Sequence, residues 1–507
     1  MIDPQTPILI GVGQVTEKDP ALEQASSPLK LMEQATKLAL DDAGISMDSL
    51  AQLDTVVVVK SFREPTRNSP EALANLFGAT NTNQWLTPDG GNAPQYLVNR
   101  YSAAIANGEA RFVLLSGAEA MATGRKIIKS GGKIAWSVPS DRDPQYLYEE
   151  HEMWSDHERA HGVWQASHVY PFFENALRHH YGHAIDEHQL IMGKLFSRLS
   201  EVAEQSPHAW FPTKRSPEEV ATATSANRYV GWPYTKFMNA MNQINQSASV
   251  LLTSVEQARA LGVDESRWVF LHGCSDTTDN WPITGRVNFH SSPSMKVMGE
   301  RALAMANIQI DDIEHIDIYS CFPSAVQIAR DELGISATDT RQLTVTGGLP
   351  FHGGAGNNYV MNSIAAMADK VREDRGSYGL VTANGGYIEK HASGIYSTNP
   401  TQGQWQRESP NAYQPLIDNQ TGPAFTEDPN GNANIETYSV VFGRSGGPET
   451  GMVIGRLGAI DDPTSTRFIA TTPSDPGLLQ AMTEDEFVGR SGVVSKQDGL
   501  NVFRPSL

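Results

Sequence analysis

The apolar positions of this chain change period along its length, and the changes divide it. A short apolar run, Pro7-Ile8-Leu9-Ile10-Gly11-Val12, predicts a strand. A Pro-initiated amphipathic helix begins at Ser27-Pro28-Leu29-Lys30-Leu31-Met32-Glu33, and a second strand follows at Thr55-Val56-Val57-Val58-Val59. The same order recurs as Trp268-Val269-Phe270-Leu271-His272-Gly273, then Ser292-Pro293-Ser294-Met295-Lys296-Val297-Met298, then Ile316-Asp317-Ile318-Tyr319. Between helix and strand, Ala43-Gly44-Ile45-Ser46-Met47-Asp48 aligns without a gap to Ala306-Asn307-Ile308-Gln309-Ile310-Asp311. Two copies of one β-α-β pattern predict a duplicated α/β domain.

Further elements fill each copy. Residues 93–107 read as a helix closing at Gly108, before the buried strand Arg111-Phe112-Val113-Leu114-Leu115-Ser116-Gly117. Residues 247–254 are apolar, 256–261 and 358–371 are helical, and Leu380-Val381-Thr382-Ala383 is a strand. Residues 124–241 break the alternation and are rich in Trp, His and charge, which predicts an inserted, mostly helical lobe. After about Ser397 the helical period disappears. Short strands at 436–442, 451–455 and 466–471, with a possible fourth within 487–495, predict a small all-β barrel or sandwich. The expected domains are 1–123 with 242–265, the lobe 124–241, a second half 266–400, and a β domain 401–507.

Composition narrows the function. A net charge of −19 over 507 residues argues against nucleic acid or an anionic membrane as the main partner. Two cysteines, Cys274 and Cys321, make neither a disulfide framework nor a metal or redox pair. Residues 1–7 lack a signal-peptide pattern, and no stretch approaches the ~18 apolar residues of a membrane span. A soluble cytoplasmic protein is expected. His157-Glu158-Arg159-Ala160-His161 spells a zinc-peptidase pattern, but Asp156, Arg159 and Gly162 do not suit a buried zinc helix. His179-His180 with His183 reads as a solvated helix face, and Gly11-Val12-Gly13 lacks the third glycine of a dinucleotide fingerprint. Neither a metal nor a tightly bound cofactor is expected.

The candidate chemistry lies in two glycine turns. Thr346-Gly347-Gly348-Leu349-Pro350-Phe351-His352-Gly353-Gly354-Ala355-Gly356-Asn357-Asn358 is too glycine-rich for a helix interior or a regular strand. The strand at 380–383 runs into Asn384-Gly385-Gly386. Such loops bring backbone N–H groups to a ligand and build oxyanion-binding sites. His352 is the leading catalytic candidate, at a predicted strand end. Tyr319 is either an acid or base, or a pocket filler, and Asn384 is a neutral polar group for the pocket. Asn357 and Asn358 either cap the next helix or touch substrate. Cys321 reads as a buried small side chain rather than a nucleophile, and Cys274 as structural.

These residues resemble the thiolase superfamily, and within it the thiolase-like proteins type 1, which carry an additional C-terminal β domain. The resemblance covers about 7–397, with the tail matching the extra domain. It implies two similar halves in a five-layered α-β-α-β-α sandwich, with a loop lobe and an OB-like C-terminal domain. Gly90-Gly91-Asn92-Ala93-Pro94 resembles the nucleophile loop, with Gly91 at the nucleophile position, and Ser116-Gly117-Ala118-Glu119 follows it. Tyr319-Ser320-Cys321-Phe322 resembles the N-E-A-F or H-D-C-F motif, 351–358 the G-H-P motif, and Asn384-Gly385-Gly386 the C-x-G-G motif. Residues 239–249 resemble the pantetheine-contacting stretch, which implicates Ser247, and Lys214 and Arg215 fall near the nucleotide end of CoA.

Thiolase chemistry needs one thiolate to carry the acyl group and a second thiol to remove an α-proton. Gly91 and Asn384 stand at those positions. The resemblance implies an acetyl-CoA acetyltransferase-like protein acting at the Cα–Cβ bond of an acyl-CoA, without the usual cysteines. The expected site is catalytic His352, Tyr319 and Asn384, an oxyanion hole at Gly91, Gly385 and Gly386, and ligand contacts at Ser320, Asn357, Ser247, Lys214 and Arg215. Retro-aldol cleavage of a β-hydroxyacyl-CoA, with Tyr319 or His352 as base, and non-catalytic acyl-CoA or lipid binding are the alternatives. A homodimer and a monomer both remain open.

Overall fold

The computed structural model describes residues 2–149 and 151–506. Four strands come first: β1 (Pro7–Thr16), β2 (Thr55–Val59), β3 (Asn83–Leu86) and β4 (Phe112–Ala120). Two short ones, β5 (Tyr229–Trp232) and β6 (Tyr234–Thr235), precede β7 (Asn245–Ser254), β8 (Val269–Thr278), β9 (His315–Asp317), β10 (Gly379–Gly385) and β11 (Lys390–Ser397). Five more end the chain: β12 (Gly431–Phe442), β13 (Pro448–Arg456), β14 (Arg467–Thr471), β15 (Ser491–Gln497) and β16 (Leu500–Pro505).

The duplication is visible in the strand order, β3-β2-β4-β7-β1-β8-β11-β10-β9. Antiparallel pairs Ile8–Phe270 and Leu9–Val269 join the halves at β1 and β8. Counted outward from that seam, β1-β7-β4-β2 matches β8-β11-β10-β9, and β3 is the extra edge of the first half. The repeated helices, Pro28–Ala43 and Pro293–Ala306, start at Ser27 and Ser292, whose side chains accept from Lys30 and Met295 N–H. They end at Gly44 and Asn307, both left-handed. Close helix–strand approach explains Gly11 and Gly13: a Cβ there would strike the Ala39 or Ala35 carbonyl oxygen, as one at Gly273 would strike Ala302. These glycines serve packing in both copies.

The helices Ala93–Ala106 and Tyr359–Glu373 pack against strands of both halves and form the buried central layer. With the outer helices they complete five layers. The edge of β3 is covered, because Leu86 N–H donates to Gln145 O and Leu147 N–H to Leu86 O, both at 2.9 Å. Such bonds close an edge that would otherwise template self-pairing.

The C-terminal strands close a barrel: β12 pairs with β13 and β15, β13 with β14, β14 in parallel with β16, and β16 with β15. The helix Pro476–Glu484 lies between β14 and β15, which gives OB topology. That helix and strand β16 differ from the sequence expectation of three or four strands alone. The lobe contains the helices Asp156–Ala160, Ala166–Tyr181, Ile185–Gln205 and Pro217–Ala221, and its strands β5 and β6 extend the barrel sheet along β12. Among the described residues no helix is long and apolar enough to cross a membrane.

Candidate functional site

A cavity of about 610 Å³ opens where the two halves meet the lobe. The turn at Gly90-Gly91 enters it from the start of the helix Ala93–Ala106, and Asn384-Gly385-Gly386 enters from the end of β10. Tyr319, Cys321 and Phe322 follow β9, and the lobe supplies Met153, Trp154, Trp164 and Tyr170. The structure therefore brings Gly91, Tyr319, Asn384, Gly385, Gly386 and Asn357 to one surface. Neither the Gly91 nor the Gly386 N–H has an intramolecular partner among the described residues. Phe62 and Trp164, about half exposed, flank the opening.

Gly91 and Tyr319 are one arrangement. A Cβ at residue 91 would lie 2.5 Å from Asn384 O and 2.9 Å from Tyr319 Cζ, and closer still to the Tyr319 hydroxyl. The tyrosine thus fills the space that a side chain at 91 would use. Burial, with Cys321 and Tyr359 adjacent, pushes the Tyr319 hydroxyl well above its ordinary pKa. It is a protonated donor at neutral pH. Burial favours the neutral phenol, so Tyr319 suits a hydrogen-bond donor better than the base that was the other expectation.

Asn384 is fixed in orientation. Tyr170 Oη donates to Gly386 O at 3.0 Å, so it accepts from Asn384 Nδ2, also at 3.0 Å. The polarity of this chain settles which end of the amide is oxygen. Asn384 Oδ1 is then left buried without a protein partner at the cavity wall. Cys321 is the thiol in the cavity, 4.0 Å from Asn384 Nδ2, and burial raises its pKa to about 12. A thiol held that far above neutrality is a poor nucleophile. Cys274 is also buried, with its pKa pushed up to about 12 and its sulfur 3.9 Å from Met305 Sδ.

Asn357 cross-links the floor. Its Oδ1 accepts from Gly90 N–H at 3.0 Å, and its Nδ2 donates to Lys60 O and Asp89 Oδ1 at 2.9 and 2.8 Å. Asp89, at the cavity wall, also pairs with Lys60 at 2.8 Å. Behind Gly356, burial raises the Glu119 carboxyl to about 7, and Glu119 accepts from Phe62 N–H and Ser61 Oγ.

His352 lies elsewhere. Residues 348–351 form one helical turn, not the open loop expected, and His352 ends it. Its ring faces Tyr359 edge-on at 5.8 Å and borders a different cavity of about 710 Å³, with Gln14, His208 and Asp369. Only 1% of the residue is exposed, and burial lowers the imidazole pKa to about 3. Its backbone carbonyl is engaged by Trp210 N–H and Gln246 Nε2. His352 does not line the cavity that holds Gly91 and Gly385, so the expectation that these residues form one site is corrected.

Four ligand expectations also fall outside the cavity. Ser320 Oγ accepts from Leu349 N–H, and Ser247 Oγ donates to Gly117 O, so both are committed to the interior. Lys214 pairs with Glu201 at the surface, and Arg215 stacks 3.9 Å above the Phe237 ring. Lys236, exposed and at the wall, is the cation the sequence reading missed. Tyr170 and Trp154 were missed too, because they stand in the lobe, where no pattern linked them to the glycine turns. The His157–His161 motif is a structural joint. Glu158 Oε1 accepts from Thr284 N–H at 2.8 Å, and His161 Nε2 accepts from Asn501 N–H at 3.0 Å.

Two pseudo-symmetric α/β halves with glycine turns facing across a cavity define a thiolase-superfamily protein. Comparison supports and refines that assignment. The family described as thiolase-like protein type 1 additional C-terminal domain matches residues 413–499. A monomeric SCP2-thiolase-like protein type 1 from Mycobacterium smegmatis shares 36% identity over 100% of both chains, with a TM-score of 0.86. This chain belongs to the SCP2-thiolase-like proteins type 1. An Ltp2-ChsH2(DUF35) aldolase shares the fold at 19% identity and a TM-score of 0.58, over 78% of this chain and 99% of its own. An acetyl-CoA acetyltransferase from Syntrophomonas wolfei does so at 13% and 0.54, over 79% and 100%. No curated protein matches the chain.

Proposed function

We propose that this protein binds an acyl-CoA thioester in the Gly91–Asn384 cavity and acts at the bond between Cα and Cβ without an acyl-enzyme. The observation that carries the reading is the protonated Tyr319 hydroxyl in the space of the missing nucleophile side chain. A hydroxyl there, with the Gly91 and Gly386 N–H groups, would polarise a thioester carbonyl and stabilise its enolate. None of these groups attacks carbon. Lys236 at the wall suits a phosphate-bearing ligand, and the apolar lining from Met153, Trp154 and Tyr387 suits an acyl group.

The reaction class that this donor set fits is retro-aldol cleavage of a β-hydroxyacyl thioester. The unpartnered Asn384 Oδ1 favours it, because an acceptor beside an oxyanion hole would take the hydrogen bond of a β-hydroxyl. Asp89 is the wall carboxylate that would accept the hydroxyl proton. The Cβ–O bond gains double-bond character as Cα–Cβ breaks. The electron pair moves into the thioester enolate, and protonation at Cα completes the balance. The Ltp2-ChsH2(DUF35) aldolase shares the fold alone with this chain, and that fold is compatible with this reading.

The test is isotope-edited infrared spectroscopy of an acyl-CoA labelled with ¹³C at its carbonyl. Bound ligand should show a carbonyl stretch shifted to lower frequency, and Tyr319→Phe should remove most of that shift while free CoA still binds. Mass spectrometry should detect no acyl adduct. An acyl adduct on Cys321, or an unshifted carbonyl in the wild type, would overturn the reading.

A further inference from the structure

The turn that follows β10 is held in an unusual shape from outside. Gly386 and Ile388 both have positive φ, 66° and 60°. A β-branched residue avoids that region, so Ile388 stays there only because its surroundings impose it. Three successive carbonyls of this turn, at Gly386, Tyr387 and Ile388, accept side-chain hydrogen bonds.

One set comes from Arg286, which is 3% exposed and donates to Tyr387 O at 2.9 Å and to Ile388 O. Arg286 is itself held by the barrel. Arg467 of β14, fully buried, donates to Thr284 O at 2.9 Å and to Arg286 O, while Glu436 of β12 fixes its guanidinium at 2.8 and 2.6 Å. The other bond comes from Tyr170, which donates to Gly386 O at 3.0 Å. Its helix, Ala166–Tyr181, is also tied to the barrel. Thr437 Oγ1 donates to Phe172 O at 2.5 Å, and Asn175 Nδ2 donates to Tyr438 O at 2.9 Å.

We infer that the C-terminal barrel is a positioning element for the cavity. It clamps the Gly386–Ile388 turn through two separate struts, Arg467–Arg286 and Thr437–Tyr170. The turn places Gly385 and Gly386 on the cavity wall and anchors the Asn384 amide through Tyr170. Arg286, Arg467 and Thr437 touch no part of the cavity and act through the turn. The barrel thereby has a task at the site without contributing a lining residue from its five strands.

Amide hydrogen exchange on the full chain tests this without any ligand. The readout is protection of 385–391 relative to β7 and to the barrel strands. Tyr170→Phe, Thr437→Val and Arg286→Met should each speed exchange in that segment about tenfold, with protection of β7 unchanged. Arg286→Lys keeps one donor and should restore part of the protection. Arg467→Met should loosen the same segment. If that variant fails to fold, Thr437→Val carries the barrel side of the test. Unchanged exchange at 385–391 in both Thr437→Val and Arg286→Met would overturn the inference. Loosening that appears only when the whole chain opens would overturn it equally.

Discussion

Restoring a side chain at residue 91 tests the coupling at the centre of the cavity. Gly91→Cys places a Cβ 2.5 Å from Asn384 O and 2.9 Å from Tyr319 Cζ, with the hydroxyl closer still. The backbone oxygen sits on β10 and is crowded in any variant at 91, whereas the tyrosine contact can be removed by substitution. Overpacking of this kind costs about 2 kcal/mol, some thirty-fold in the folded-to-unfolded ratio. Tyr319→Ala removes the obstacle on the tyrosine side. The first calorimetric transition should fall by about 2–4 °C in Gly91→Cys. The Asn384 O contact remains in the double variant, so it should melt below Tyr319→Ala, but by less than Gly91→Cys melts below the parent, and the introduced thiol should react with iodoacetamide faster there than in Gly91→Cys. A double-mutant cycle should return a coupling of up to about 2 kcal/mol. A coupling below about 0.5 kcal/mol would refute the reasoning, because it would show that the space at 91 is not occupied by Tyr319.

Other outcomes follow from burial. Desolvation holds His352 at about 3 and His391 at about 4, so the unfolded chain takes up protons first as pH falls below the ordinary value of 6.5. Stability should drop by about 2–3 kcal/mol per residue on going to pH 4.5, and His352→Gln or His391→Gln should flatten that slope in urea titrations. Glu389 behaves with the opposite sign. Its carboxyl is raised from 4.5 to about 7 by burial that a 3.6 Å contact with Arg286 does not offset, so the stability its protonation supports is lost as pH rises from about 4.5 through 7. Glu389→Gln should therefore be near neutral at pH 5.5 and stabilise by about 2 kcal/mol at pH 8.5. At the β3 edge, Leu147→Pro removes the N–H that bonds Leu86 O, and light scattering should then detect more self-association than in the parent chain.

The fold was legible because its periods and caps were. Ser27-Pro28 and Ser292-Pro293 announced two helices that begin alike, and the αL positions at Gly44 and Asn307 ended them alike. Strand β16 and the helix Pro476–Glu484 were harder to see. The helix is short, and β16 went unread although Asp498-Gly499 marks the hairpin turn that pairs it with β15. Strand β11 was also missed, since Lys390, His391 and Ser393 look polar. In the structure they are buried, between β8 and β10.

The placement of residues around the cavity was half legible, and the misplacement of His352 has a physical cause. Gly91, Tyr319, Asn384 and Gly385 were found because each sits at a strand or helix end where a turn must face the sheet's edge. His352 was chosen for its chemistry within a glycine-rich run, yet the backbone at 348–351 coils through a helical turn and His352 borders a different cavity. Composition reports that a loop is free to bend but not which way each side chain leaves it. The direction was encoded in steric neighbours instead. Gly348 leaves room for Leu199 and Ser320, and Gly353 for Gln246, and these close approaches pin the turn. The same logic makes Gly91 informative. A glycine at such a turn reads as mere flexibility until the group filling the space beside it is known. Tyr319 is that group, so Gly91 and Tyr319 are two halves of one packing arrangement: neither a side chain at 91 nor the tyrosine ring has room for the other.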